Sequence, residues 1–113
     1  MPDTNTENLF IYHLTLTDTY NDPTNWNEQV MVIIQQHAAF LNDLGEQGIL
    51  GFAGRTMFNP GDEHLFGIAV IKAESIDEAK RIMKNDPAVK HNIQRAQIFP
   101  FSMGIRFLDN FDK

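Results

Sequence analysis

An α+β domain with one four-stranded antiparallel sheet and two helices on one face is the fold class this sequence predicts. Three observations carry the prediction. Four short runs are dense in aromatic and β-branched residues, and two longer runs repeat their apolar residues at helical spacing. The six follow one another in the order βαββαβ. A chain of 113 residues is the length of one domain. Such a chain buries roughly two-thirds of its unfolded surface, enough for a core without metal or disulfide staples.

The elements follow in order. Residues 1–7 are polar and read as a frayed tail, leaving 8–113 as a single domain. Residues 9–17, Leu-Phe-Ile-Tyr-His-Leu-Thr-Leu-Thr, read as the first strand. Residues 18–25 hold Asp22-Pro23 and read as a loop. From Trp26 the period turns helical: Val30, Ile33, Ile34, His37, Leu41 and Leu44 share one face. Gly45 or Gly48 can end that helix in a left-handed conformation. Residues 49–56 and 65–71 read as the second and third strands, around the turn signal Asn59-Pro60-Gly61-Asp62. Ser75-Ile76-Asp77-Glu78 is a capping-box pattern that opens a second helix, with Ile76, Ala79, Ile82 and Met83 on its inner face. Asp86-Pro87 interrupts it, because proline lacks the amide and pushes its predecessor out of helical geometry. Residues 92–101 read as the fourth strand. Two β-α-β crossovers laid on one antiparallel sheet give the ferredoxin-like, split βαβ arrangement.

Two helices cover one face of such a sheet, yet both faces of these strands are apolar. Phe10, Tyr12 and Leu14 alternate with Leu9 and Ile11, and Phe66, Ile68 and Val70 alternate with Leu65, Ala69 and Ile71. A sheet with one wet face shows polar residues at every second position instead. A bare apolar face is one that monomers avoid. A homodimer packed sheet to sheet is therefore expected, with Ile105, Phe107, Leu108 and Phe111 helping to seal it.

Composition excludes several classes of chemistry. With no cysteine there is no disulfide, thiolate nucleophile or iron–sulfur site. Nine basic against fifteen acidic residues give a net charge of −6, which repels a phosphate backbone, so no nucleic-acid partner is expected. The polar start lacks a signal-peptide pattern, and no apolar run approaches the ~20 residues of a membrane span. The expectation is a cytoplasmic protein without a membrane partner. No dinucleotide fingerprint, P-loop, nucleophile elbow or H-E-x-x-H is present, so no cofactor is expected. His13, His37, His64 and His91 have no metal-ligand spacing, and no metal is expected, though a site assembled in three dimensions stays open.

The residues left for chemistry are few. His37 lies on the apolar stripe of the first helix, so its ring points toward the sheet. It is either a core histidine bonded to a carbonyl or a general acid/base, the role suited to a side chain that titrates near neutrality. Asp86 before Pro87 is either a helix cap or a carboxylate that orients an imidazole. His13, in mid-strand, either lines a cavity or is a buried, satisfied ring. Arg55 ends the second strand, either solvated or clamping an anionic group. Gly51, Ala53, Gly67 and Ala69 are small residues on neighbouring strands that seat a helix or floor a pocket. His64, beside two acids in a turn, and His91, in a polar stretch, read as solvated.

His37-Ala38-Ala39-Phe40-Leu41 followed by Gly48-Ile49-Leu50-Gly51-Phe52-Ala53-Gly54 resembles the helix-to-strand segment of the YciI-like (YCII-related) proteins. Phe66-Gly67-Ile68-Ala69-Val70, the helix at 75–83, Asp86-Pro87-Ala88-Val89 and Ile98-Phe99-Pro100-Phe101 are similar to that family in the same order, as is Tyr12-His13-Leu14. The resemblance spans about residues 9–103. It implies a ferredoxin-like subunit in a dimeric α+β barrel, with a His/Asp catalytic pair carried to His37 and Asp86. It also implies proton transfer on a small organic acid or phenol, isomerase- or dehydrochlorinase-like, although most members have no known reaction. A non-catalytic ligand-binding dimer is the other outcome the family allows. The family's glycine after the Asp-Pro pair is replaced here by Lys90-His91-Asn92-Ile93, so the resemblance brings His91 toward the ligand beside His13 and Arg55.

Overall fold

Leu9–Leu16 forms strand β1 because its alternation fits a sheet with one covered face: Phe10, Tyr12 and Leu14 are buried, and Leu9, Ile11, His13 and Thr15 are half-buried. The computed structural model describes residues 8–113; the tail expected at 1–7 lies outside the described residues. Helix α1 (Glu28–Glu46), β2 (Leu50–Arg55), β3 (Gly67–Lys72), α2 (Ile76–Lys84), the single turn α3 (Pro87–Lys90) and β4 (Gln94–Phe101) follow. Short 3₁₀ turns occur at Pro23–Asn25 and Leu108–Asp112. The sheet order is β2-β3-β1-β4 and every pairing is antiparallel, the ferredoxin-like arrangement expected.

The helix ends follow from local chemistry. Asn27, not Trp26, starts α1: its extended backbone lets the side chain accept from the Val30 amide at 2.9 Å. Gly48, at φ +80°, ends it. The Ile49 amide donates to Leu44 and the Gly48 amide to Gly45, the paired bonds that a left-handed glycine permits. Ser75 caps α2 through the Glu78 amide at 3.1 Å. The Glu78 carboxylate reaches back to the Glu74 amide at 3.5 Å, one residue short of a reciprocal box. The fourth strand begins at Gln94 and not at 92, because Asn92 takes a left-handed φ of 58° to close the turn after α3.

Directly paired residues share a face. Phe10, Tyr12 and Leu14 pair with Ile71, Ala69 and Gly67, and with Ala79 and Met83 of α2 they form the core beneath the helices. On the far face Ile11 pairs with Val70 and Phe99, and His13 with Ile68 and Gln97. Phe52, Phe66 and Phe99 are partly exposed there. Met103 and Leu108 meet Leu9, Phe52 and Val70 around a smaller cavity at one end of that face. Ile105, Phe107 and Phe111 of the same C-terminal segment remain largely exposed.

Helix α1 leaves part of its own side of the sheet bare. In β2, Ala53 and Arg55 pair with Ala69 and Gly67 on the helix-side face, yet both are exposed. The space above them is a cleft.

Candidate functional site

The site begins with a proline. Pro87 denies Asp86 helical geometry, so Asp86 sits at φ −63°, ψ 124° between α2 and α3. Its carboxylate then caps α3, one oxygen accepting from the Ala88 amide at 3.0 Å. Asp86 is completely buried, and a buried carboxylate demands donors. Two more come from elsewhere in the fold. Tyr12, whose strand parity points it under the helices, donates its hydroxyl to Oδ2 at 3.3 Å. His37, two turns into α1, places Nδ1 2.7 Å from both carboxylate oxygens. The cap and the orienting carboxylate, alternatives in the sequence, are one residue doing both.

Tyr12 is fully buried. Burial above all, then the charge of Asp86 and the hydrogen bond to it, push its phenol well above the usual tyrosine range. It is therefore a permanent donor. The acceptor-only carboxylate also settles the histidine: the hydrogen on Nδ1 points at Asp86. That leaves Nε2 as the ring atom free for other work, and it has no hydrogen-bond partner among the described residues. The His37 side chain is 15% exposed, against 0% for Asp86, so the imidazole is the accessible end of the pair.

What it reaches is a cleft of about 710 Å³. The floor includes Leu14, Ala53, Gly54 and Gly67; of the small residues singled out in the sequence, Ala53 and Gly67 floor the cavity, while Gly51 lies at the smaller one and the fully buried Ala69 belongs to the core. Trp26, Ile34, Phe58 and Phe66 supply apolar walls. The rim is tied down by bonds between loops. The Gly61 amide donates to Asn21 at 2.9 Å, in a turn whose φ of +99° suits glycine. The Trp26 indole donates to the Tyr20 carbonyl at 2.7 Å, and the Thr56 hydroxyl to the His64 carbonyl at 2.6 Å.

Of the residues singled out in the sequence, His37, Asp86 and Arg55 converge. Arg55 lines the cleft with His37, its guanidinium leaning on the Phe58 carbonyl at 3.4 Å. His13 is not brought to them. Its parity is opposite to that of Tyr12, so it lies on the far face and stacks on Phe66 with centroids 5.1 Å apart. His91 is exposed, its amide closing the α3 turn onto Pro87, and it is not among the residues lining the cleft. His64 sits in the surface turn, where its amide and ring hold the Asp62 carboxyl below its ordinary range. Among the described residues no three His, Asp or Glu side chains group as a metal site needs, and no helix is long and apolar enough to cross a membrane.

Two residues of the site escaped the sequence, Tyr12 beneath the buried pair and Gln94 in the cleft. Tyr12 carried a signal, since a phenol among inward-facing core positions must find a partner for its hydroxyl. Gln94 carried another: it shares the inward parity of Ala96 and Ile98, where a polar side chain is out of place.

The model of the YCII-related domain matches residues 13–102 of this chain. Among solved structures the chain is similar to 5-chloro-2-hydroxyhydroquinone dehydrochlorinase (TftG) from Burkholderia phenoliruptrix AC1100, in complex with 2,5-dihydroxybenzoquinone. The TM-score is 0.55 at 20% identity, covering 83% of this chain and 93% of that one, a likeness of fold. No curated protein gives a significant match.

Proposed function

Since this chain belongs to the YCII-related family, we propose that it is a small-molecule enzyme in which His37, held by Asp86, moves a proton on an anionic or phenolic substrate. The reaction class is isomerase- or lyase-like, in the manner of a dehydrochlorinase. The observation that carries this reading is the buried carboxylate 2.7 Å from the inner nitrogen of an imidazole that lines a 710 Å³ cleft.

In this reading Nε2 takes a proton from an activated carbon. The C–H electron pair forms a double bond, and either the proton returns at another carbon or a leaving group such as chloride departs with its bonding electrons. Asp86 supports the imidazolium that forms in between. Arg55 faces the negative charge of the substrate. A positioned imidazole contributes about 10²–10⁴-fold, adequate for a carbon already activated by a neighbouring carbonyl. The same fold is that of a dehydrochlorinase solved with a small quinone, which favours this class of substrate. The proposal includes a homodimer formed through the far sheet face, where Ile11, Phe52, Ile68 and Phe99 make an apolar surface of the kind monomers avoid.

The test is solvent-deuterium exchange, followed by NMR, into a panel of hydroxylated and chlorinated aromatics, small unsaturated acids and lactones. His37→Ala is expected to lower any exchange by at least about 10²-fold. Exchange that survives in His37→Ala removes the assignment. Panel members that bind the cleft and never exchange mark a non-catalytic ligand-binding module instead.

A further inference from the structure

Gln94 opens β4 opposite Leu16 of β1, and both line the His37 cleft. Its Oε1 is the one buried side-chain nitrogen or oxygen among the described residues that has no hydrogen-bond partner. A buried amide oxygen without a partner costs free energy that an apolar residue of the same size would save. Such atoms are concentrated where a fold serves something other than its own stability.

The neighbours sharpen the point. Leu16 opposite it, and Leu14 and Ala96 at the next paired position, share its side of the sheet, and none offers a side-chain donor. The Tyr12 hydroxyl and His37 Nδ1 are both engaged with the Asp86 carboxylate. Among the described residues, the other strongly polar strand residue lining the cleft is Arg55, on the opposite edge of the sheet. Three strand spacings, about 14 Å, separate their two strands. His37 stands on the helix above it.

We infer that Gln94 is a substrate-binding residue of this cleft and that its amide takes a hydroxyl group of the ligand. A hydroxyl donates and accepts, so it satisfies the amide in either rotation. This rests on the cleft being the substrate site and narrows its class: a small, flat molecule with an anionic oxygen for Arg55 and a hydroxyl at its other end. Gln94 then discriminates, because a site built to bond a hydroxyl rejects the analogue that lacks one more strongly than an apolar wall does.

The probes are benzoate and its 2-, 3- and 4-hydroxy derivatives, titrated by NMR or calorimetry into the full chain, Gln94→Leu and Gln94→Met. The unmodified protein is expected to bind at least one hydroxybenzoate about tenfold more tightly than benzoate. Both variants should lose that gain, with benzoate itself bound no more weakly than by the unmodified protein. Thermal unfolding of Gln94→Met should be unchanged or shifted upward, since an unpaired buried oxygen has been removed. A hydroxyl gain that persists in both variants overturns the assignment, as does its absence for every isomer in the unmodified protein. A melting temperature lowered by several degrees in both variants, meaning an amide already satisfied within the fold, overturns it too. Binding is read here without turnover. A Gln94-dependent gain therefore stands even where no panel member exchanges a proton, and loss of the gain beside His37-dependent exchange sinks only this assignment.

Discussion

Replacing Asp86 by alanine removes one acceptor from three donors at once, and the structure sets the cost of each. The Ala88 amide loses its cap, about 1 kcal/mol. The Tyr12 hydroxyl, fully buried, is left unpaired, about 1–3 kcal/mol. The His37 side chain is 15% exposed, so its ring can turn toward water once the carboxylate is gone, and its share is smaller. Together these give about 3–5 kcal/mol, the range found when one member of a buried charged pair is deleted. For a chain of 113 residues that is a fall in Tm of roughly 12–20 °C. Asp86→Asn separates stability from orientation. The amide keeps the volume and one acceptor, so the cost should drop to about 1–2 kcal/mol. Nδ1 is 2.7 Å from both carboxylate oxygens, so an asparagine offers it one acceptor and one donor in place of two acceptors. The preference for hydrogen on Nδ1 is then lost. Denaturant unfolding measures the first effect, and ¹⁵N shifts of the His37 ring measure the second. A cost below 1 kcal/mol for Asp86→Ala, or a ring still wholly protonated at Nδ1 in Asp86→Asn, would refute the account of the pair.

Tyr12→Phe should cost about 1.5–3 kcal/mol at neutral pH, the value of a hydrogen bond to a charged acceptor. It should also flatten the alkaline side of the stability curve. The phenol's folded pKa is raised, so below pH 10 both states hold the proton; above it only the unfolded chain releases it, and stability falls by about 1.4 kcal/mol per pH unit. Parallel unfolding curves for the two proteins between pH 9 and 11 would mean that Tyr12 is not the group responsible. On the far face, Phe99 is 47% exposed beside Ile11. Light scattering should give twice 12.9 kDa for the chain and 12.9 kDa for Phe99→Arg; an unmodified chain that runs at the single mass removes the sheet-to-sheet dimer.

How far the site was legible follows from how each residue got there. The order of the elements along the chain, the parity that buries Tyr12 and Leu14, and the stripe that turns His37 toward the sheet follow from local periodicity, so they can be read from spacing. The Asp86 cap is local as well, since Pro87 and the Ala88 amide lie within two residues of it. Parity also carried the outcome for His13: one step from Tyr12 along a strand means the opposite face, whatever the chemistry of the side chain. What spacing does not contain is the meeting of His37 with Asp86 across 49 positions, and of Tyr12 with Asp86 across 74. Those distances depend on how α1 and α3 seat over the sheet, a balance of many side-chain contacts. The cleft is of the same kind. It exists because α1 leaves Ala53 and Arg55 uncovered, and the unpaired amide of Gln94 is visible only once every donor around it has been placed. Periodicity and local caps set the elements, their faces and the types of residue available for proton transfer. Which of those residues share a carboxylate, and which open onto a cavity, depends on contacts between positions far apart in the chain and is settled by packing.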